Sequence, residues 1–286
     1  MTNTIYPCLW FDGQAKAAAE FYCSVFPQRN GSPKNSKITA DTPLVVAFEL
    51  NGQKFMGLNG GPMYSPNPSI SFFVICETLD EIENAWKNML VGGNVFMPLD
   101  KYEWSEKYGW VQDKFGISWQ LAYGLMEEVG QKFSPTLMFT NQQAGKAEQA
   151  INFYTSIFED SSVVGINKYG ANDNDVAGTI KHARFKLGQH VFMAMDSSMP
   201  HPFSFTEGIS FVVECETQEE IDYYWDKLTE GGQESMCGWL KDKFGVSWQI
   251  VPAILGKLMS DPEKAPRVIQ AFLQMKKFDI EKLRQA

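Results

Sequence analysis

Apolar positions along this chain follow two alternating spacings. Residues 5–11 form an apolar and aromatic run stopped by Asp12-Gly13, which predicts a strand. Ala18, Phe21, Tyr22, Val25 and Phe26 then fall at i, i+3, i+4, i+7 and i+8, one face of a helix. Residues 44–50 and 53–58 predict two short strands around the tight turn at Asn51-Gly52-Gln53. Residues 70–76 predict a mostly apolar strand. Thr78 and Glu81 stand at capping-box spacing before a second helix, whose buried face is Ile82, Ala85, Trp86, Met89 and Leu90. Gly92-Gly93 stops that helix, and strands near 109–112 and 117–122 close the series.

The whole series is then written again. "GWVQDKFGISWQLAY" at 109–123 and "GWLKDKFGVSWQIVP" at 238–252 are identical at nine of fifteen positions. "PCLWF" at 7–11 returns as "PTLMF" at 135–139, and "FYCSVF" at 21–26 as "FYTSIF" at 153–158. "FMGLN" at 55–59 returns as "FMAMD" at 192–196. Thr217 and Glu220 repeat the capping spacing, and Ala150, Phe153, Tyr154, Ile157 and Phe158 repeat the first helical face. The offset drifts between 128 and 139 residues. The first copy carries extra residues at 94–108, and the second carries extra residues near 170–178. A tandem duplication predicts two domains, 1–128 and 134–286, joined near 124–134. Each copy reads as two modules of strand, helix and further strands, so the chain holds four.

A tail at 253–286 belongs to the second copy alone. Asp261 before Pro262 predicts a helix start, and Val268, Ile269, Phe272, Leu273 and Lys276 share one face of it.

Composition narrows the function classes. The 286 residues carry a net charge of −9, which disfavours nucleic acid and an anionic membrane surface as partners. The five cysteines form no CxxC pair, and buried free thiols in a reducing compartment are the expectation. The opening residues lack a basic stretch followed by a long apolar one, and no apolar run reaches about 18 residues. A cytoplasmic location is therefore expected. No Ser-His-Asp order, GxSxG elbow, Walker loop or GxGxxG is present.

The blocks PxLxF, FYxSxF, ISFxVxCET and GWxxDKFGxSWQ, taken together, resemble the PhnB-like branch of the glyoxalase/bleomycin-resistance/dioxygenase superfamily, also called the vicinal oxygen chelate fold. The resemblance spans nearly the whole chain, twice. It implies an α+β fold of tandem domains, each of two βαβββ modules forming a curved mixed sheet that cups a pocket, with helices outside. It also implies an internal pseudo-dimer, and leaves a homodimer open. Members of the branch often carry the label 3-demethylubiquinone 3-methyltransferase. The missing glycine-rich loop and the missing doubly wound pattern give that label no support here.

Superfamily enzymes hold a divalent metal with a His on the first strand of each module and a Glu near the end of the last strand. The matching positions here are Gln120, seven residues after Asp113, and Gln249, seven after Asp242, with Ser71 and Ser210 on the earlier strands. His182, His190 and His201 fall at none of them. No metal and no cofactor are expected, since neutral amides and hydroxyls bind such ions weakly. Asp113 with Lys114, and Asp242 with Lys243, read as turn geometry or a local ion pair. Strand alternation sets Trp119 and Leu121 on one face and Ser118, Gln120 and Ala122 on the other. Gln120, Gln249, Ser71, Ser210, Trp10, Asn59 and Asp196 are the ligand-binding candidates, each set against a structural reading. For Trp10 that reading is core packing; for Asn59 and Asp196 it is the start of a turn. Metal-free binding of a small molecule is the leading expectation. The alternative is a lyase or oxidoreductase of this superfamily with an unrecognised metal or none. In a third reading one copy keeps the ligand and the other is structural.

Overall fold

The computed structural model describes residues 3–27 and 35–286. Module one comprises β1 (Ile5–Phe11), α1 (Ala15–Val25), β2 (Lys37–Asp41), β3 (Val45–Leu50) and β4 (Gln53–Asn59). Module two comprises β5 (Ile70–Cys76), α2 (Leu79–Met89), β6 (Asn94–Tyr102), β7 (Ser105–Gln112) and β8 (Ser118–Tyr123). A short α3 (Met126–Val129) leads to module three: β9 (Phe133–Phe139), α4 (Ala147–Ile157), β10 (Ser162–Lys168), β11 (Ile180–Leu187) and β12 (His190–Asp196). Module four is β13 (Ile209–Cys215), α5 (Gln218–Thr229), β14 (Gln233–Glu234), β15 (Trp239–Lys241) and β16 (Ser247–Pro252). The tail holds α6 (Leu255–Met259), α7 (Ala265–Phe272) and α8 (Ile280–Gln285). The tandem α+β architecture is the expected one.

Two compact units emerge, Pro7–Ile209 and Met1–Tyr6 with Ser210–Ala286, so the division passes through β1 and β13. The larger unit contains an eight-stranded sheet in the order β10-β11-β12-β9-β5-β8-β7-β6. Its centre is an antiparallel β5–β9 pair, flanked by parallel β5–β8 and β9–β12 pairs. Module two thus shares its sheet with module three, from the other copy, rather than with module one. Strand pairing is decided by complementary edges that form only in three dimensions, and either partner offers the same alternation. In the same unit β1 runs parallel to β4, which pairs with β3, and β3 with β2. In the smaller unit β13 runs parallel to β16, followed by β15 and β14.

The repeated motif is a clamp. Asp113 is 4% exposed. Its Oδ1 accepts from Phe115 N (2.8 Å) and Ile117 N (3.0 Å), and its Oδ2 from Trp119 Nε1 (2.8 Å). Burial pushes its pKa up, against the downward pull of these donors. Gly116 closes the turn at φ +88°, a conformation that favours glycine. Of the two expected readings, turn geometry and a local ion pair, Asp113 shows the turn, while Lys114 lies over the Phe21 ring at 4.7 Å in a cation–π contact. The clamp seats Trp119 against α1, with ring centroids 5.1 Å from Tyr22 and 5.7 Å from Phe26. Asp242 repeats the pattern with Phe244 N, Val246 N and Trp248 Nε1 at 2.9, 3.1 and 2.9 Å, and Gly245 sits at φ +89°.

The copies differ at the strand before the clamp. In copy one the extra residues at 94–108 build β6 and extend β7, a hairpin that sequence spacing does not reveal. In copy two β14 and β15 have two and three residues. There the tail does the pairing: Cys237 N donates to Met275 O and Gly238 N to Lys276 O, both at 2.7 Å. The tail is also more broken than expected. Asp261 Oδ1 does accept from Glu263 N (3.0 Å), but α7 starts only at Ala265 and ends before Leu273, which is 51% exposed. Val268, Phe278, Ile280 and Leu283 are its buried residues.

Replacing Asp113 by Ala strands two buried N–H donors, on Ile117 and Trp119, and a partly buried one on Phe115. Unfolding by urea should show a loss of at least about 2 kcal/mol, since each unmet buried donor costs about 1–3 kcal/mol. A loss below about 1 kcal/mol would mean that the clamp does not hold the turn.

Candidate functional site

Residues paired across a ladder share a face of the sheet. In the large sheet Phe72 pairs with Trp119, and Val74 with Leu121. These buried apolar residues form the helix-packed face. On the opposite face Ser71 pairs with Ser118 and with Thr136, and Phe73 pairs with Gln120 and with Ser134. Alternation therefore delivers three serines, a threonine and a glutamine to one surface.

That surface is a hydrogen-bonded chain. Tyr108 Oη donates to Gln120 Oε1 at 2.8 Å, and Gln120 Nε2 donates to Ser71 Oγ at 2.7 Å. Burial, and secondarily Tyr102, pushes the Tyr108 phenol well above its ordinary pKa, so it stays a donor at neutral pH. Beside this chain Trp110 Nε1 donates to Ser118 Oγ at 2.7 Å. Ser134 Oγ and Thr136 Oγ1 are buried and have no hydrogen-bond partner, at 0% and 1% residue exposure. Ile75, Tyr108 and Ala122 form an apolar cluster here, against which Phe73, Met97, Tyr102 and Trp110 pack while partly buried. On the module-three side Thr136 pairs with Met193 and Met138 with Met195.

Gln249 is likewise buried, and its Nε2 donates to Ser210 Oγ at 2.9 Å. Cys237 occupies the place of Tyr108; its Sγ donates to Phe272 O at 3.7 Å. Ser247, the counterpart of Ser118, has a buried Oγ without a partner.

The remaining candidates lie elsewhere in the fold. Asn59 Oδ1 accepts from Ala15 N (2.9 Å) at the start of α1, while its Nδ2 donates to Pro43 O. Asp196 Oδ1 accepts from Ala147 N (3.1 Å) at the start of α4, and its Oδ2 from Ile180 N. Both side chains are occupied by backbone, each tying the last strand of a module to its first helix. Trp10 is half-buried, and its Nε1 donates to Gly61 O at 2.7 Å. A Cβ on Gly60 would sit 2.2 Å from the Trp10 ring, so the loop is folded onto the indole. Tyr108 is the member of the site that pattern reading misses. The signal available to it was the tyrosine next to Gly109, in the stretch unique to copy one.

The resemblance implies a divalent metal, and the side chains at the corresponding positions do not suit one. The first-strand and last-strand positions are Ser71 and Gln120 on module two, with Thr136 and Met195 in the corresponding registers of module three. Two hydroxyls, a thioether and an amide already held at both ends do not fit a divalent cation. Among the described residues no three His, Cys, Asp or Glu side chains group as a metal site. His182 is exposed, with Nε2 3.4 Å from Met193 Sδ, and His201 Nε2 lies 2.8 Å from Ser197 Oγ. The five cysteines form no disulfide. Burial pushes the thiols of Cys76 and Cys215 up to about 12, which leaves neither a thiolate nucleophile. Among the described residues no helix is long and apolar enough to cross a membrane.

Known proteins align with this architecture. The profile of the 3-demethylubiquinone-9 3-methyltransferase family matches twice, over residues 3–122 and 131–251. A PhnB protein from Bacillus cereus is 34% identical over 41% of this chain and 96% of its own, with a TM-score of 0.37. Glyoxalase I from Zea mays is 11% identical but covers 91% of this chain and 97% of its own, with a TM-score of 0.54, a likeness of fold. No curated protein matches the chain. The double match of that profile, over most of the sequence, means that the chain belongs to the 3-demethylubiquinone-9 3-methyltransferase family.

Proposed function

We propose that this chain binds a small molecule on the Gln120 face of the sheet shared by modules two and three, with neutral hydrogen-bonding groups and no metal ion. One observation carries the reading: a buried amide is held by Tyr108 and Ser71 next to two buried hydroxyls, Ser134 and Thr136, that have no partner. A buried hydroxyl without a partner costs free energy. Groups left in that state at the floor of an aromatic face are what a ligand would satisfy. Phe73 and Trp110 are only partly buried and are the first side chains a ligand would meet. An apolar wall with a few placed polar groups is the usual make-up of such a site.

Methyl transfer, named in the family's description, needs a methyl donor. The turn between β1 and α1 carries the single glycine Gly13, and the start of α1 is filled by Asn59 Oδ1. These residues do not fit a donor held by a glycine-rich loop at a helix start. An enzymatic reading of the Gln120 face also lacks an acid–base group poised near neutral pH, since its polar members are Ser, Thr, Gln and a raised tyrosine.

Neutral single-ring aromatic compounds, titrated into the full chain, should move the methyl resonances of Met97, Met138, Met193 and Met195 out of the 13 methionines. Uniform small shifts over all of them, or none, would defeat the binding reading. Dialysis against Ni²⁺ or Mn²⁺ should leave well under about 0.1 ion per chain and no thermal shift; a stoichiometric ion would overturn the metal-free part. Affinity for such a compound should stay flat from about pH 7 to about pH 9, because Tyr108 is held protonated above that range. A bell-shaped profile there would point to a titrating acid–base pair instead.

A further inference from the structure

We propose that Tyr108 is the positioning residue of this face, and that the direction of its hydrogen bond selects ligands carrying a carbonyl oxygen on a planar apolar body. The inference rests on the binding reading above and deepens it.

A phenol has one hydrogen to give. Tyr108 gives it to Gln120 Oε1, which makes the amide oxygen the acceptor and turns the amide nitrogen toward Ser71. Without that donor the amide is free to flip, since its oxygen and nitrogen are nearly the same shape. With it, Ser71 Oγ must accept, and the Ser71 hydroxyl hydrogen is directed onward. No acceptor for it lies among the described residues' hydrogen bonds. Thr136, directly opposite Ser71 in the ladder, and Ser134, two residues away, add two more hydroxyls without partners. The face is therefore poised to donate.

The matching ligand atom is an oxygen acceptor. A neutral carbonyl fits better than a carboxylate. The nearby cations are committed elsewhere: Lys132, two residues from Ser134 and buried, is paired with Glu81 and Ile75 O, and Arg184, opposite Met193, donates to Glu128 O at 2.6 Å. A buried anion without a counter-charge is strongly disfavoured. Phe73 and Trp110 supply flat apolar surface for the rest of the molecule.

The Gln249 counterpart lacks this device. Cys237 stands where Tyr108 stands, at φ +59°, with its backbone N–H and thiol committed to the tail. Among the described residues no hydrogen bond orients that amide from its oxygen side in the way Tyr108 does. The copy-one hairpin, which presents Tyr108, makes the two glutamines chemically different despite identical local sequence.

Acetophenone and ethylbenzene serve as probes, one with a carbonyl and one without, read by the methionine methyl spectra of the full chain. Acetophenone should bind about tenfold more tightly, the value of one hydrogen bond between neutral groups. Tyr108→Phe should lose that ratio while ethylbenzene still binds, which also shows that the variant is folded. A merely structural tyrosine would weaken both probes together and leave the ratio intact. Ser71→Ala should collapse the ratio in the same way, and stands in if Tyr108→Phe does not fold. Equal binding of the two probes, or a ratio untouched by both variants, overturns this inference alone. Binding of neither probe overturns the binding reading with it.

Discussion

A buried carboxylate gathering three N–H groups is the contact on which the architecture turns. Asp113 holds two backbone amides of its own turn and the indole of Trp119, and Asp242 does the same for Trp248. Each clamp converts a seven-residue stretch into a rigid strand entry. Seating the Trp on the helix-packed face sets the phase of the strand that follows. Phase then decides chemistry, because the residue after the Trp must point the other way. Gln120 and Gln249 face away from the helices because their neighbouring tryptophans cannot.

The strand after each clamp presents an amide, Gln120 in copy one and Gln249 in copy two. A carboxylate would be an acceptor only, whereas the amide both accepts from Tyr108 and donates to Ser71. The site is thereby a relay of neutral groups with a defined direction, in place of a cluster of anionic donors. Such a relay tolerates burial far better than an unpaired charge.

Duplication supplied two copies of the clamp and two of the glutamine, and later sequence made them unequal. The residues at 94–108 gave copy one a long β6–β7 hairpin with aromatic contacts, Tyr102 with Trp104 at 4.9 Å and Phe96 with Trp110 at 5.7 Å. Copy two relies on its tail to cover the same strand start, with Phe278 packed at the position a Gly238 Cβ would need. The two solutions satisfy the same backbone groups. One of them brings a phenol to the amide, and the other brings a cysteine that bonds elsewhere.

Much of this was legible in the residues alone. Strand and helix spacing, capping at Thr78 and Thr217, the tandem repeat and the α+β class all follow from short-range rules, because periodicity and turn chemistry act over a few residues. That 71, 120, 210 and 249 carry hydroxyls and amides, which bind a divalent metal weakly, is likewise a matter of identity. Asn59 and Asp196 could be paired as equivalent positions, but only the tertiary structure revealed that they cap helices from a distant strand. The tertiary structure alone also decided that module two shares its sheet with module three, that Tyr108 meets Gln120, and that Ser134 and Thr136 are buried without partners. Those facts depend on which sheet edges meet across long stretches of chain, a choice that local alternation leaves open because every module offers the same edge.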